Sequence, residues 1–229
     1  KLAGGNPVII ETSPDNNFKI SPDDLEKHIT EKTKWLFINS PSNPTGQVYS
    51  KAELINLAEI IKKYKNLYIL SDDIYEYIRY QNNERFYTIA ELDEEIFSRT
   101  LTMNGVSKAY SMTGWRIGYC GGPIEIINAM RKLMGQSTSN PSSISQWATV
   151  EALNGSKDFL NLWVESFKER RDFIVNYLNQ CNGISCLNPE GAFYVYPSCA
   201  GLIGKKYKGK IISNDKDFAM ILLKEKLVS

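Results

Sequence analysis

Residues 107–118 read Ser-Lys-Ala-Tyr-Ser-Met-Thr-Gly-Trp-Arg-Ile-Gly, a run of mostly small and apolar residues with Lys108 eight positions before Arg116. A lysine amine attacks carbonyl carbons when burial or a nearby cation lowers its pKa, and Arg116 can supply that cation. The planar guanidinium also suits a phosphate, which it binds through two parallel hydrogen bonds. Pyridoxal 5'-phosphate carries both an aldehyde and a phosphate. On spacing alone, two solvated surface charges are the commoner explanation.

A second segment, residues 39–46, reads Asn-Ser-Pro-Ser-Asn-Pro-Thr-Gly and follows the apolar run from Trp35 to Ile38. A helical pattern begins soon after it, at Lys51, so we expect this segment to be a strand-to-helix loop. Open α/β sheets place ligands at such loops, where the carboxyl ends of parallel strands meet. An ordinary turn is the alternative, because Asn, Pro and Gly all favour turn geometry.

A third segment, residues 70–76, reads Leu-Ser-Asp-Asp-Ile-Tyr-Glu and follows a short apolar run that predicts a strand. If a helical turn follows the strand, Asp72 and Tyr75 lie on one face of that turn. A helix N-cap by Ser71 or Asp72 is the alternative. We favour a functional role because pyridoxal enzymes need a carboxylate beside the pyridine nitrogen, where it keeps the ring protonated.

Together the three segments resemble the motifs of the class I aminotransferases, the fold-type I enzymes that carry pyridoxal 5'-phosphate, and in particular aspartate aminotransferases. The resemblance implies that Lys108 forms the Schiff base with the cofactor and moves the proton during catalysis. It implies that Arg116 binds the phosphate and that Asp72 pairs with the pyridine nitrogen. Asn43 and Tyr75 would share the ring oxygen, and Asn43 would also lie near the substrate carboxylate.

Two positions depart from the family pattern. Many members have a serine three residues before the lysine as a phosphate ligand, whereas this chain has Gly105, and Ser107 is the expected substitute. The animal-type aspartate enzymes place an arginine four residues before a Ser-Asn-Pro triplet; in this chain no arginine stands there, and Gln136 lies three residues before the triplet of Ser139 to Pro141. This departure resembles the bacterial subgroup, some members of which also accept prephenate.

The implied activity is transamination between L-aspartate and 2-oxoglutarate, with prephenate as a further substrate, by a homodimer whose partners are amino and keto acids. Two alternatives stay open. One is another enzyme of the same fold, such as an aromatic aminotransferase or a carbon-sulfur lyase, since specificity lies largely in other segments. The other is a non-enzymatic regulator that pairs an aminotransferase-like domain with a helix-turn-helix.

Composition is that of a globular protein: the chain has 229 residues, of which 42% are apolar and 23% charged. Lys plus Arg number 27 and Asp plus Glu number 26, so no single-sign field predicts a nucleic-acid or membrane partner. The basic segment Gly204 to Lys210 predicts a solvated hairpin or loop, with a nucleic-acid contact as the alternative. No apolar run approaches the ~20 residues of a membrane span.

Metal and redox chemistry are not expected. The four cysteines show no C-x-x-C spacing, so neither a zinc site nor a redox dithiol is predicted, and a reducing cytoplasm is the simplest location. The one histidine, His28, is expected at the end of a surface helix.

Apolar runs alternate with helical patterns, which predicts an α/β fold, a three-layer sandwich with a mostly parallel sheet. The resemblance identifies it as the large domain of a fold-type I pyridoxal-phosphate transferase, in residues 1–155, with a connecting helix in 156–180 and part of a smaller α+β domain in 181–229. The predicted strands are Val8 to Ile10, Trp35 to Ile38, Leu67 to Leu70, Thr100 to Met103, Ile117 to Cys120 and Gly191 to Tyr196. The predicted helices are Ala52 to Lys65, Glu125 to Met134, a region from Ser142 to Gln180 interrupted at Gly155, and Asp215 to Lys226.

The chain resembles an internal piece of such an enzyme. Family members have a phosphate-binding loop and a ring-stacking aromatic upstream, and an arginine for the substrate carboxylate downstream. We therefore expect this segment by itself to be inactive.

Overall fold

The main sheet has four strands in the order β1-β2-β3-β4, within a computed structural model that describes residues 2–80 and 85–228. Strands β1, β2 and β3 run parallel, and β4 pairs antiparallel with β3. Their bounds are Trp35–Asn39, Tyr68–Asp72, Thr100–Gly105 and Gly118–Gly121. A separate antiparallel pair consists of β5, Lys206–Tyr207, and β6, Lys210–Ile211, so the basic segment is a hairpin as predicted.

Seven α-helices accompany these strands in the described part of the chain. They are α1 Pro22–His28, α2 Lys51–Lys62, α3 Glu94–Phe97, α4 Ile124–Gln136, α5 Ser143–Asn154, α6 Asp158–Gln180 and α7 Asp215–Ile221. A π-helical turn, Leu222–Lys226, continues α7, and His28 is the last residue of α1. Among residues 2–80 and 85–228, no helix combines the length and apolar character needed to cross a membrane.

Helix α2 begins at a capping box, in which Ser50 Oγ accepts from the Glu53 amide and the Glu53 carboxylate accepts from the Ser50 amide. Its apolar face, which includes Leu54, Leu57 and Ile61, packs with Ile69 of β2 in the largest buried cluster. The cluster covers one face of the parallel strands, because both faces of such a sheet need apolar cover. The packing fixes the strands whose carboxyl ends carry the candidate site.

Two predicted strands are wrong. Residues 8–10 form no strand, and Val8 and Ile9 are exposed without a sheet partner among the described residues. The segment from Gly191 to Tyr196 makes only an isolated bridge, between Gly191 and Arg79. Ala192 has a left-handed backbone with φ 56°, which interrupts the extended run. In both cases an apolar or aromatic run does not join the sheet.

Helix boundaries differ by a few residues from the predicted ones. Helix α2 ends at Lys62 rather than Lys65, because the chain turns at Asn66 to enter β2. Gly155 ends α5 as predicted, and α6 follows from Asp158. The division of the chain into a large domain, a connecting helix and a small domain stays a prediction.

Candidate active site

The carboxyl ends of β1, β2 and β3 meet at one edge of the sheet. In the parallel register Asn39 is paired with Asp72, and Asp72 with Met103. The strand-to-helix loop after β1 contains Asn43, and Lys108 follows the last residue of β3 by three positions. Sheet topology therefore brings together residues that are far apart in the sequence, at the edge where open α/β sheets bind ligands.

Asn39 ties the first loop to the second strand. Its side-chain amide donates to the Asp72 carbonyl oxygen at 2.9 Å, and its Oδ1 accepts from the Asn43 backbone amide at 2.7 Å. Burial raises the pKa of the Tyr75 hydroxyl, and a hydrogen bond from the side chain of Asn43 opposes that rise. Asn43 is thus held against the segment that carries Asp72 and Tyr75.

Asp72 ends β2 and begins a turn, so the predicted helical face and the alternative helix cap are both wrong. Its Oδ1 accepts from the Ile74 amide at 3.3 Å, and residues 74–77 form turns. This short loop still places Tyr75 beside Asp72. Burial raises the pKa of the Asp72 carboxyl, while the Ile74 amide and the charge of Lys108 oppose that rise.

Lys108 lies between two aromatic rings. Its Nζ is 5.7 Å from the centroid of the Tyr75 ring and 5.6 Å from that of Phe193. The two rings are themselves packed edge to face at 5.5 Å. An amine that faces ring π-electrons and the Asp72 carboxylate is attracted by both, which fixes where Nζ points.

Sequence reasoning missed Phe193 and Tyr194. Their segment predicted only a strand, and nothing in its pattern placed it at the site. The structure holds it there through backbone bonds, from Ala192 N to the Ile78 carbonyl and from Gly191 N to the Gly46 carbonyl, each 2.8 Å. The Tyr194 hydroxyl lies 2.6 Å from that of Tyr75.

Gly46 and Gly191 permit this close approach. A Cβ on Gly46, whose φ is +70°, would lie 2.5 Å from Pro189 Cβ, and one on Gly191 would lie 2.7 Å from the Ile78 carbonyl oxygen. Neither position can accept a larger residue without backbone movement.

Arg116 and Ser107 are placed differently from the residues above. Arg116 is exposed after a 3-10 turn, has a φ of 56°, and donates from Nη1 to the Thr113 carbonyl oxygen at 3.0 Å. Ser107 is half-buried in the turn after β3. Their roles as phosphate ligands stay predictions. A Cβ on Gly105 would lie 3.0 Å from the Ile117 carbonyl oxygen, so a serine there would be crowded.

A cavity of about 260 Å³ lies behind the segment of Phe193 and Tyr194. Those two residues line one wall, and Arg170 and Arg171 of α6 line another. Lys108 and Asp72 do not line it. The cavity therefore adjoins the candidate site without being part of it.

The chain belongs to the family "aminotransferase class I and II", whose model matches residues 1–229. Pyridoxal 5'-phosphate is the cofactor of class I aminotransferases. The residues at the strand ends suit this group chemically, because they offer an amine, a half-buried carboxylate and neutral hydrogen-bonding groups at one place.

Similar proteins come mainly from bacteria. The chain is 51% identical over all its 229 residues to a probable aspartate/prephenate aminotransferase of Rhizobium leguminosarum bv. phaseoli, and covers 57% of that protein. It is 50% identical over 225 residues to the aspartate/prephenate aminotransferase of Cereibacter sphaeroides, and covers 56% of it. The chain thus spans slightly more than half the length of these relatives.

Solved structures agree with the predicted fold class. The crystal structure of an aspartate aminotransferase from Rhizobium meliloti matches with a TM-score of 0.92 and 50% identity, over 96% of this chain and 55% of that one. An aromatic aminotransferase from Pyrococcus horikoshii matches with a TM-score of 0.88 and 36% identity, over 100% and 58%. The α/β architecture with a mostly parallel sheet is that of fold-type I aminotransferases.

Proposed function

We propose that the full-length protein is an aminotransferase that exchanges the amino group of L-aspartate with 2-oxoglutarate and depends on pyridoxal 5'-phosphate. One observation carries the proposal. Asn43, Asp72, Tyr75 and Lys108 come together at the strand ends of a chain that is about half identical to proteins named aspartate/prephenate aminotransferase.

The cofactor would be held from several directions. Lys108 would bind it through Nζ, Asp72 would face the pyridine nitrogen, and Tyr75 with Asn43 would face the ring oxygen. Ser107 and Arg116 would bind the phosphate. When bound, pyridoxal phosphate supplies a ring that withdraws electrons from the substrate α carbon once that carbon loses its proton.

The chain's own groups then have separate tasks. Once the substrate amine releases Lys108, its Nζ takes the proton from the α carbon as a general base and later returns it. Phe193 and the Tyr75 ring flank Nζ. Burial raises the pKa of the Asp72 carboxyl, and the Ile74 amide and the charge of Lys108 oppose that rise; a protonated pyridine nitrogen placed against the carboxylate would oppose it further.

Substrate choice is the finer part of the proposal. Prephenate is included because relatives at 50% and 51% identity carry it in their names. An aromatic aminotransferase is the second candidate, favoured by the structural match to the Pyrococcus horikoshii enzyme and by the aromatic wall beside Lys108.

The deciding experiment uses purified full-length protein with pyridoxal phosphate and 2-oxoglutarate, and compares L-aspartate, L-tyrosine and L-cysteine as amino donors. We expect oxaloacetate to form from aspartate with the highest kcat/KM, and glutamate with prephenate to yield arogenate. Faster transfer from tyrosine would assign the aromatic activity instead. Release of sulfide from cysteine would assign a carbon-sulfur lyase, and no reaction with any donor would favour a regulator.

We further propose a homodimer in the cytoplasm, with no nucleic-acid partner. The support for this location is that all four cysteines are free thiols, which persist in a reducing compartment. Sedimentation of the full-length protein tests the oligomeric state, and a monomer at micromolar concentration would contradict it.

A further inference from the structure

The hydroxyl of Tyr194 forms a partly buried hydrogen bond with that of Tyr75. Its hydroxyl oxygen is 2.6 Å from that of Tyr75, and the two rings pack edge to face with centroids 5.8 Å apart. Tyr75 is 2% exposed and the bond is partly buried, so water has limited access to it. The contact joins positions 119 residues apart in the sequence.

The position of Tyr194 is fixed by its neighbours. Ala192 is fully buried, its amide donates to the Ile78 carbonyl oxygen, and its own carbonyl oxygen accepts from the Tyr80 hydroxyl. Phe193 packs against Tyr75. Because these three contacts hold the two residues before it, Tyr194 meets Tyr75 in one arrangement.

The hydroxyl of Tyr75 has one proton to give and two lone pairs to fill. Asn43 also hydrogen-bonds this hydroxyl through its side chain. Either hydroxyl can be the donor in the bond between the two tyrosines; if Tyr194 and the Asn43 amide both donate, both acceptor positions of Tyr75 are filled. The single proton of Tyr75 must then point away from both donors.

We propose that Tyr194 is a positioning residue: its hydroxyl donates to Tyr75, and this directs the Tyr75 proton toward the ring oxygen of bound pyridoxal phosphate. The inference rests on the proposed function. In this role Tyr194 acts through Tyr75 alone. Since hydrogen bonds in a chain polarise one another, the Tyr194 bond also strengthens the one that Tyr75 gives.

The test is a spectroscopic pH titration of the cofactor bound at Lys108 in the full-length protein. A donor on the ring oxygen weakens its hold on the proton that it shares with the Lys108 nitrogen, and so lowers the pH at which that proton is lost. Tyr194→Phe should raise the midpoint by about half a unit to one unit, the value of one hydrogen bond. An unchanged midpoint would overturn the inference.

Tyr196→Phe is the matched control, because it removes the same atom two residues along the same segment. Tyr196 is 48% exposed and its ring packs against Phe18, away from Tyr75. We expect its midpoint to equal that of the unmodified protein. A shift as large as that of Tyr194→Phe would mean that any hydroxyl loss in this segment has the effect, and would contradict the specific role.

A double variant tests whether Tyr194 acts through Tyr75. Tyr75→Phe should raise the midpoint more than Tyr194→Phe does, and adding Tyr194→Phe to it should change nothing further, since contacting residues in one pathway are not additive. Additive shifts would contradict the inference. Should Tyr194→Phe not fold, 3-fluorotyrosine at position 194 keeps the bond with a stronger donor and should lower the midpoint; a rise or no change would contradict it.

The two proposals fail differently. The proposed function requires that the unmodified full-length protein shows a cofactor absorbance that depends on pH and that disappears when borohydride reduces the bond to Lys108. If no such absorbance is found, the proposed function is wrong. If that absorbance is present but insensitive to Tyr194, only the positioning role is wrong.

Discussion

The side of the site that would face the cofactor ring differs from the side that would face its phosphate. The ring side, formed by Asn43, Asp72, Tyr75, Lys108 and Phe193, is assembled by contacts between strands and segments distant in sequence. The phosphate side, formed by Ser107 and Arg116, depends on local turns: the Arg116 guanidinium donates to the carbonyl oxygen of Thr113, three residues earlier. Long-range contacts therefore position the groups assigned to chemistry. We expect substitutions on the ring side to change rates, and those on the phosphate side to change cofactor affinity.

The largest effect is expected at Lys108. Lys108→Ala should abolish transamination by the full-length protein, because no other amine in the site can replace both the covalent anchor and the base. Some cofactor should still bind through the phosphate side. Steady-state kinetics and mapping of the borohydride-labelled peptide measure both effects.

Lys157→Ala is the control for Lys108. The Lys157 ammonium also lies over an aromatic ring, 5.2 Å from the centroid of Tyr77, but on the exposed side chain of another segment. This variant should keep its rate and its label at Lys108. Appreciable turnover by Lys108→Ala would show that the Schiff-base assignment is wrong.

The next effect is expected at Asp72. Asp72→Ala should lower kcat by several powers of ten, each worth about 1.4 kcal/mol of barrier, because the ring then loses the charge that keeps it protonated. Thermal unfolding should show that the fold is retained. A near-normal kcat would move the role to another carboxylate, with Asp73 the first to be tested.

Particular residues show what the sequence could predict. Lys108, Asp72 and Asn43 lie at the carboxyl ends of apolar strands or within a few residues of them, so parallel pairing brings them together once the strands are recognised. Phe193 and Tyr194 could not be placed, because backbone bonds between Gly191 and Gly46 bring in their segment, and no periodicity reports such a contact. The strand predicted at Val8 does not form for a related reason: the residues favour a strand, but a strand is stable only where another strand pairs with it.

A smaller effect, on binding rather than rate, is expected at Arg116. Arg116→Ala should weaken pyridoxal phosphate binding by roughly tenfold to a hundredfold, since charge-assisted hydrogen bonds contribute about 1.5 to 3 kcal/mol each. At saturating cofactor, kcat should change little. Equilibrium titration of the apoprotein measures the affinity.

Arg131→Ala is the matched control for Arg116, because it removes an exposed arginine from α4. It should bind cofactor as the unmodified protein does. If Arg116→Ala also binds normally, the phosphate is held elsewhere, and the phosphate side has been assigned to the wrong residues.

The smallest effect on activity is expected at Asp73, next to Asp72 but turned into the protein. Asp73 is 3% exposed, and its carboxylate accepts a hydrogen bond of 2.6 Å from the Ser71 hydroxyl. Burial raises the pKa of Asp73 to about 6, and the charges of Glu76 and Asp72 add to the rise. The folded state therefore binds this proton more tightly than the unfolded chain does.

It follows that Asp73 stabilises the fold fully below about pH 4, and that this contribution is lost as the pH rises to about 6. Asp73→Asn carries no such proton. Urea unfolding measures the free energy of unfolding of the full-length protein and of its Asp73→Asn variant. The difference between the two should fall by about 2 to 3 kcal/mol from about pH 4 to about pH 6 and stay constant above pH 7. A difference independent of pH would show that Asp73 is ionised in the folded state and that its burial is offset by donors other than Ser71.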